Sequence, residues 1–538
     1  MRKKVIIFYL LLISLISLGF KLLVTDFSIP VNSDNLEYAL FAVAHTNGDF
    51  SQSSHRGMGW SLFTSAFFGL INSENFLDYS ITIKSLSIII GISSIPMIYL
   101  IGRKYFDHRY SLVLASLFAF EPHLNYNSTL GLTEPIVILS ILGTFYFVLN
   151  RNTRLIIFSL LLAGIAYWMR INGIWVFLVI SLIYFIIQKK SWKFIGHYSI
   201  GVGVFLLIIS PILIERNEEF GDPFYSVYKD TIFAGDFESM VSAIGTGERI
   251  SVFDYVEKNG IFSFFNTYII IGLFNTLTVT SSLTLPYLFL LIPFGILFSF
   301  RAFDQNTNFI KSNWIFILTS IGFLIFIMAI VPDRRFVLHL LPFLMIFSVI
   351  PIQRVVEYGL STFSFSRKQK DVFLIGVLLT IIILSTFVII RYVPDSELEN
   401  EKLEFSKFAI DNLDGVILRE YGGTLDYVKY LAIEKSFKNY KIGSNILQNS
   451  DILLETNSSP KGETVYELIK DGEKYDLKYI ISKQNPSSIN PFMDELYYDY
   501  EKYHYIEKFF DSDDYDFKKL KIKIFEINYD KFNNLSDE

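Results

Sequence analysis

The stretch "KVIIFYLLLISLISLGFKLLV" (residues 4–24) follows the basic residues "MRK" and is apolar almost throughout. About twenty apolar residues in succession are enough for an α-helix to cross the hydrocarbon core of a bilayer. A secretory signal peptide would have a shorter apolar core and a cleavage site of small residues, and neither is visible here. The stretch is therefore predicted to be a retained transmembrane helix.

Further apolar runs recur as far as Arg391, and they predict a multi-spanning α-helical membrane protein. A twelfth apolar run near 262–279 fits the count only as an interfacial or re-entrant segment. The eleven predicted spans cover residues 4–24, 80–101, 110–124, 132–150, 154–169, 172–188, 197–214, 284–300, 313–331, 336–353 and 372–391.

The composition supports this class and excludes others. The 538 residues are 51% hydrophobic and include 53 Phe and 32 Tyr, with a mean hydropathy of +0.40. The net charge of −6, without a block of basic residues, excludes a nucleic-acid partner. The absence of cysteine excludes disulfides and Cys-ligated metals. No phosphate-loop or HExxH pattern is present, so no cofactor is implied, and a divalent metal is neither implied nor excluded.

Basic loops set the predicted orientation, because Lys and Arg are enriched on the cytoplasmic side of membrane proteins. The loops "GRKYFDHR", "RNTR", "QKKSWK" and "SRKQK" are all expected in the cytoplasm. Eleven crossings then place the N-terminus inside and the tail outside a cell (plasma) membrane.

The composition changes near Val393, where the chain becomes charged. Short β-type runs, "GVILRE", "DLKYIIS" and "LKIKIFEINY", alternate there with helix-like stretches. The predicted organisation is therefore a transmembrane domain over residues 1–392 and an extracytoplasmic soluble α/β domain over residues 393–538.

Most ionisable residues outside the basic loops fall on the predicted outer ends of the helices, and the first outer loop contains several of them. Asp34 is a candidate general base, although it also suits the N-cap of the following helix. Glu37 suits an acceptor or metal contact, or a solvated helix face, and Tyr38 suits packing or acceptor support. His55 and Arg56 suit phosphate recognition or contact with lipid head groups.

The later outer loops provide further candidates. Glu134 is either a supporting acid or an N-terminal helix residue before Pro135. Arg170, Arg334, Arg335 and His339 are candidates for binding a donor phosphate, and interfacial anchoring is the alternative interpretation for the arginines.

These motifs, in this order, resemble the GT-C membrane glycosyltransferases of the protein O-mannosyltransferase and lipid A aminoarabinose transferase group. The resemblance rests on Asp34 with Tyr38 and Gly48, on "HRGMGWSLF" from His55, on "TEP" from Thr133, and on "RRFVLHLLPFLMIF" from Arg334. Two departures are visible: Asn35 stands where the family often has a second acid, and Gly57 and Met58 stand where it has prolines.

The resemblance implies transfer of a hexose, mannose-like sugar from a polyprenyl-phosphate (dolichyl-phosphate) donor to a glycan, lipid or protein acceptor on the outer face. The first-loop aspartate would be the base and the carrier phosphate the leaving group. The alternative is a transporter or flippase of lipid-linked sugars, which would be expected to place charges in its helix middles. A non-catalytic anchor for the tail would not explain the charges on the outer ends.

Overall fold

The structure is a computed structural model, and it describes residues 3–53, 56–188, 191–300, 307–418, 425–444, 464–484 and 492–534. The chain divides into two compact units. The first unit contains Met1–Thr25, His45–Asn72 and Tyr79–Val393. The second contains Asp26–Ala44, Ser73–Asp78 and Pro394–Glu538.

The first unit is helical. Its principal α-helices are Lys3–Leu23, Gly59–Ile71, Phe76–Tyr105 (from Tyr79 onward), His108–Ala119, Pro122–Asn127, Glu134–Val148, Ile156–Met169, Ile174–Ile187, Trp192–Phe220, Leu288–Ser299, Thr307–Ile330, Leu341–Arg354 and Arg367–Ile389. The loop before residue 261 contains the short helices Val227–Thr231, Phe237–Thr246 and Val252–Asn259.

The helices of this unit pack through large apolar side chains. The helix Ile156–Met169 lies between Glu134–Val148 and Trp192–Phe220. At the centre of the unit, Phe316 stacks on Phe343 with ring centroids 3.7 Å apart, and Phe145 meets both rings edge-on. Offset and edge-to-face arrangements of this kind are favourable for aromatic rings, and they fix the positions of three helices.

The predicted multi-spanning helical architecture is confirmed. Among the residues that the structure describes, seven helices are long and apolar enough to cross a membrane by length and composition, and six of the predicted spans fall on them. Four more predicted spans fall on the shorter apolar helices Glu134–Val148, Thr153–Met169, Ile174–Ile187 and Leu288–Ser299. The predicted span at 110–124 corresponds to His108–Ala119 and the following turn of helix.

The seventh long helix, Ile261–Leu283, is the segment predicted to be interfacial or re-entrant. It contains a π-helical stretch, Phe265–Ile271. Tyr268 donates a hydrogen bond to the carbonyl of Ile232 in the preceding loop, and Asn275 donates to the carbonyl of Met328. These partners lie in the loop before residue 261 and near the C-terminal end of Thr307–Ile330. The length and composition of the helix permit a crossing, and its interfacial placement stays a prediction.

The second unit contains a four-stranded sheet, in the order β1-β2-β4-β3. The strands are β1 (Val416–Leu418), β2 (Leu477–Lys483), β3 (Ile506–Asp511) and β4 (Ile522–Ile527). Strands β1 and β2 are parallel, and the other two pairs are antiparallel. The strands share two apolar cores with the helices Ser396–Asn412, Val428–Glu434, Val465–Gly472, Phe492–Asp499 and Tyr529–Asn534. The predicted α/β character of the tail is confirmed.

Two segments that follow the first helix, Asp26–Ala44 and Ser73–Asp78, also belong to the second unit. Phe76 packs edge-on against Phe437, with ring centroids 5.2 Å apart, and Phe41 stacks on Tyr440. The Ser396 hydroxyl donates to the Asp26 carboxylate at 2.7 Å. The sequence analysis assigns these loop segments to the transmembrane domain, whereas the structure groups them with the C-terminal residues. The predicted domain boundary at residue 393 stays a prediction.

Candidate functional site

Asp34 lies in the first turn of the helix Ser33–Thr46, within the second unit. The amides of Asn35 and Leu36 donate to the carbonyl of Asn32, so Asp34 lies inside the first hydrogen-bonded turn. A carboxylate in the first turn is stabilised by the helix dipole without being the N-cap. Asp34 and Glu37 are half-buried, and Tyr38 is only 6% exposed.

Arg56 belongs to a part of the first unit that we call the Arg56 segment (residues 52–53 and 56–59). A side chain at Gly57 would place its Cβ 2.7 Å from the carbonyl oxygen of Trp168, and one at Gly59 would be equally close to that residue. Two backbones approach each other closely at Gly57, and only glycine leaves enough room for this approach. The predicted site residue His55 lies outside the described residues.

Glu134 and Arg170 form an ion pair, although 36 positions separate them. The Arg170 Nη1 atom lies 3.4 Å from Glu134 Oε1, and the side chains are 29% and 4% exposed, respectively. The other carboxylate oxygen, Oε2, is buried without a hydrogen-bond partner among the described residues. Thr133, the N-cap of this helix, makes no side-chain capping bond. The carboxylate of Glu134 therefore faces Arg170 as a buried counter-ion.

The Arg170 side chain also connects this pair to the segment at residues 333–341. Its guanidinium lies 5.5 Å from the centre of the Phe336 ring, a cation–π distance. His339 interacts electrostatically with Arg170, and its ring packs against Trp175 with centroids 4.8 Å apart. Its Nε2 atom is buried, and no described residue hydrogen-bonds to it.

The two neighbouring arginines have different surroundings. Arg335 Nε and Nη2 both lie 2.8 Å from Asp333 Oδ2, and the Arg335 amide donates to Asp333 Oδ1. Arg334 hydrogen-bonds with the side chain of Tyr392. A phosphate that binds Arg335 would therefore share this guanidinium with Asp333. The structure brings Arg170 and His339 together and places Arg334 and Arg335 on the same short segment.

Sequence reasoning missed several histidines and their partners. His123 Nδ1 lies 2.9 Å from the Tyr392 hydroxyl, which brings His123 next to the Arg334 contact. His45 is 4% exposed, with Nδ1 2.8 Å from the carbonyl of Asp49 and Nε2 3.1 Å from the Ser61 hydroxyl. Burial lowers the pKa of His45. A histidine at helical spacing from apolar residues gives little signal in one sequence, and only the fold identifies these contacts.

A buried polar cluster around Lys21 was also missed. The Lys21 ammonium is 3% exposed and donates to Asn125 Oδ1 at 2.7 Å. The Ser17 hydroxyl donates to the same oxygen. Lys21 also interacts electrostatically with Glu121, whose Oε1 has no hydrogen-bond partner within the described chain. In the parts of the chain that the structure describes, no group of three or more His, Asp or Glu side chains could hold a metal ion.

One protein family matches part of the sequence. The family described as dolichyl-phosphate-mannose-protein mannosyltransferase matches residues 63–214. These residues include Glu134 and Arg170. No curated protein matches the sequence.

Solved structures match nearly the whole chain. The apo oligosaccharyltransferase of Archaeoglobus fulgidus has a TM-score of 0.57 at 13% identity, over 90% of this chain and 70% of that one. The same organism's oligosaccharyltransferase AglB, in complex with an inhibitory peptide and a dolichol-phosphate, has a TM-score of 0.58 at 13% identity, over 89% and 69%. ArnT from Cupriavidus metallidurans, bound to undecaprenyl phosphate, has a TM-score of 0.50 at 10% identity, over 96% and 97%.

These matches show the fold. The oligosaccharyltransferase and ArnT are GT-C glycosyltransferases, and the chain shares their architecture of apolar helices followed by a C-terminal domain. The predicted resemblance to this class is therefore confirmed, and the chain is a multi-pass membrane protein with the GT-C fold.

Proposed function

We propose that this GT-C chain is a membrane glycosyltransferase that moves a hexose, mannose-like sugar from a polyprenyl-phosphate donor to an acceptor glycan, lipid or protein. The observation that carries the proposal is the Glu134–Arg170 pair beside His339, because it lies in a chain whose fold matches enzymes bound to dolichol-phosphate and undecaprenyl phosphate. A buried carboxylate, a guanidinium and a histidine at one place are the groups that phosphate chemistry uses.

The proposed reaction is a displacement at the anomeric carbon of the sugar. The Asp34 carboxylate takes the proton of the acceptor hydroxyl, and the hydroxyl oxygen forms the new bond to the anomeric carbon. The bond from that carbon to the carrier phosphate breaks, and the phosphate leaves with the electron pair. We assign binding of this phosphate to Arg170, Arg334, Arg335 and His339. We assign support of the acceptor to Glu37, Tyr38, His55, Arg56 and Glu134.

The donor phosphate is an anion, so its binding site requires positively charged side chains. The donor phosphodiester carries one negative charge and a second develops as the phosphate leaves, and arginine can bind this dianion with paired N–H donors in a fixed geometry. Arg335 already presents two such donors to Asp333. Asp333 would then hold the guanidinium in orientation and would weaken, without abolishing, its attraction for phosphate.

The decisive experiment is a transfer assay. The purified protein is incubated with radiolabelled polyprenyl-phosphate sugars and with separate glycan, lipid and peptide acceptors. We expect label to move from one donor to one acceptor class. Translocation of an intact lipid-linked sugar across proteoliposomes, without transfer in any assay, would instead support the flippase alternative.

The same proposal includes an orientation, with the N-terminus cytoplasmic and the second unit outside the plasma membrane. Asp26–Ala44, Ser73–Asp78 and Pro394–Glu538 form one compact unit, so they must lie on one side of the bilayer. The chain between residues 78 and 394 must then cross an even number of times. The predicted spans there number ten, which agrees with an interfacial Ile261–Leu283.

Thiol labelling tests this orientation, and the lack of native cysteine makes single-cysteine variants unambiguous. Ser51→Cys and Ser444→Cys are exposed positions that we expect to react with a membrane-impermeant maleimide on intact cells. Ser191→Cys, in a basic loop, is the control and should react only after lysis. Labelling of Ser444→Cys only after lysis would contradict the proposed orientation.

Arg335→Lys tests the assignment of the donor phosphate. Lysine keeps the charge but cannot make two parallel N–H contacts. We expect the donor KM to rise by on the order of tenfold, the effect of losing one charge-assisted hydrogen bond. Arg354→Lys, on a predicted cytoplasmic helix end, is the matched control. An unchanged donor KM in Arg335→Lys and in Arg335→Ala would remove Arg335 from the site.

A further inference from the structure

Arg216 is the one arginine of the described chain that is completely buried, with 0% of its surface exposed. It lies in the last turns of the helix Trp192–Phe220. A buried guanidinium has a large desolvation cost unless its N–H groups are used. The contacts that offset this cost therefore show what the residue holds in place.

The hydrogen bonds of its two Nη atoms go to backbone carbonyls of two other segments, while Nε has no hydrogen-bond partner among the described residues. Arg216 Nη2 donates to the carbonyl of Ser53 at 2.7 Å and to that of Arg56 at 3.4 Å. Nη1 donates to the carbonyl of Tyr225, in the outer loop that follows the helix. Arginine near a helix C-terminus commonly interacts with the last carbonyls of its own helix. Here the acceptors lie outside that helix.

Neighbouring contacts hold the same segment. The Gln52 amide Nε2 donates to Glu215 Oε2 at 2.7 Å, and the Gln52 backbone N–H donates to Glu219 Oε2 at 3.1 Å. On the other side, Gly57 and Gly59 lie against the backbone of Trp168, which leaves no room for a side chain at either glycine. The Arg56 segment is thus fixed between the ends of two helices.

We propose that Arg216 is a positioning residue, which fixes the Arg56 segment to the outer loop at Tyr225 and thereby orients Arg56 toward the substrate. This inference rests on the proposed function, in which Arg56 supports the acceptor. One planar guanidinium joins the two segments, because its N–H donors point in fixed directions. A lysine at this position could hydrogen-bond to only some of the carbonyls of Ser53, Arg56 and Tyr225.

A labelling experiment tests the positioning without any activity assay. Met58 is 7% exposed and lies in the Arg56 segment, and its replacement in Met58→Cys gives a single thiol. In the Arg216→Gln background we expect this thiol to react faster with a soluble maleimide by on the order of tenfold, because local opening no longer has to break the carbonyl contacts. Arg216→Lys should give an intermediate rate.

Two controls separate this effect from general loosening. Thr129→Cys replaces a residue that is 3% exposed in another part of the first unit, and its labelling rate should not change. Arg249→Gln removes an arginine that contacts the Tyr225 ring but has no contact with Ser53 or Arg56 among those described, and it should leave Met58→Cys labelling unchanged. Equal labelling rates of Met58→Cys in the presence and absence of the Arg216→Gln substitution would overturn the proposal.

A double-mutant cycle connects the positioning to turnover. If Arg216 acts through Arg56, then Arg216→Gln should lower kcat/KM in the wild-type background and have little further effect in Arg56→Ala. Additive losses would overturn the proposal. A wild-type protein that transfers no sugar from any donor would refute the proposed function, and the labelling rates alone would then decide the positioning.

Discussion

Asp34→Asn is expected to reduce kcat by on the order of 10²-fold or more, the usual contribution of a general base, while donor affinity changes little. The substitution keeps the size of the side chain and removes the charge and the basicity. The structure places Asp34 in the first turn of its helix, after the cap position. Loss of its interaction with the helix dipole should contribute about 0.3–1 kcal/mol to any decrease in stability.

Three measurements separate the base from a structural carboxylate. Turnover in the transfer assay reports the chemistry, thermal unfolding in detergent reports the fold, and competition by dolichyl phosphate reports donor binding. Glu37→Gln is the matched control, because Glu37 lies one turn further along the same helix and is also half-buried. We expect a smaller loss there. Turnover of Asp34→Asn close to that of the wild type would end the proposed mechanism and leave the fold assignment intact.

The transmembrane helices could be predicted from sequence because their signal is local. A run of apolar residues long enough to cross a bilayer is nearly sufficient evidence for a helix, since the lipid leaves no other way to satisfy the backbone. The tail strands β1, β2 and β4 were predicted for a similar reason. Strand β3 was missed because Glu507 and Lys508 interrupt its apolar alternation, and its register shifts between Lys508 and Phe510.

Features that depend on distant contacts could not be predicted. The packing of Phe76 on Phe437 assigns a first-loop segment to the C-terminal unit, and no local pattern in either segment indicates it. The partner of Glu134 is another example, because an acid before a proline suits a helix start equally well. Arg216 is a third example, because the sequence shows only one more charge near the end of an apolar run. In each case the assignment depends on how deeply the residue is buried or on which distant residue it contacts, and a single sequence gives neither.

The largest effect on stability is expected at Arg170. Replacement by glutamine leaves the Glu134 carboxylate, 4% exposed, without its counter-ion. Breaking a buried pair in this way typically costs about 3–5 kcal/mol, because the remaining charge is neither solvated nor neutralised. We therefore expect a marked decrease in the unfolding temperature of Arg170→Gln in detergent.

The reverse substitution should cost less. Glu134→Gln leaves the Arg170 guanidinium, which is 29% exposed and still faces the Phe336 ring, so water can solvate part of the charge. We expect a loss of about 1 kcal/mol, typical of one hydrogen-bonded contact. Equal losses of stability in Arg170→Gln and Glu134→Gln would contradict this explanation, which depends on the different burial of the two side chains.

The double variant Glu134→Gln/Arg170→Gln then separates structure from function. Two neutral amides of similar size remove the buried charge, so stability should return toward that of the wild type, and replacing buried ion pairs is often close to neutral. If the pair also serves sugar transfer, turnover should stay low in this stable protein, because no guanidinium remains to meet the donor phosphate. Recovery of turnover together with stability would show that the pair only supports the fold, and it would remove both residues from the proposed site.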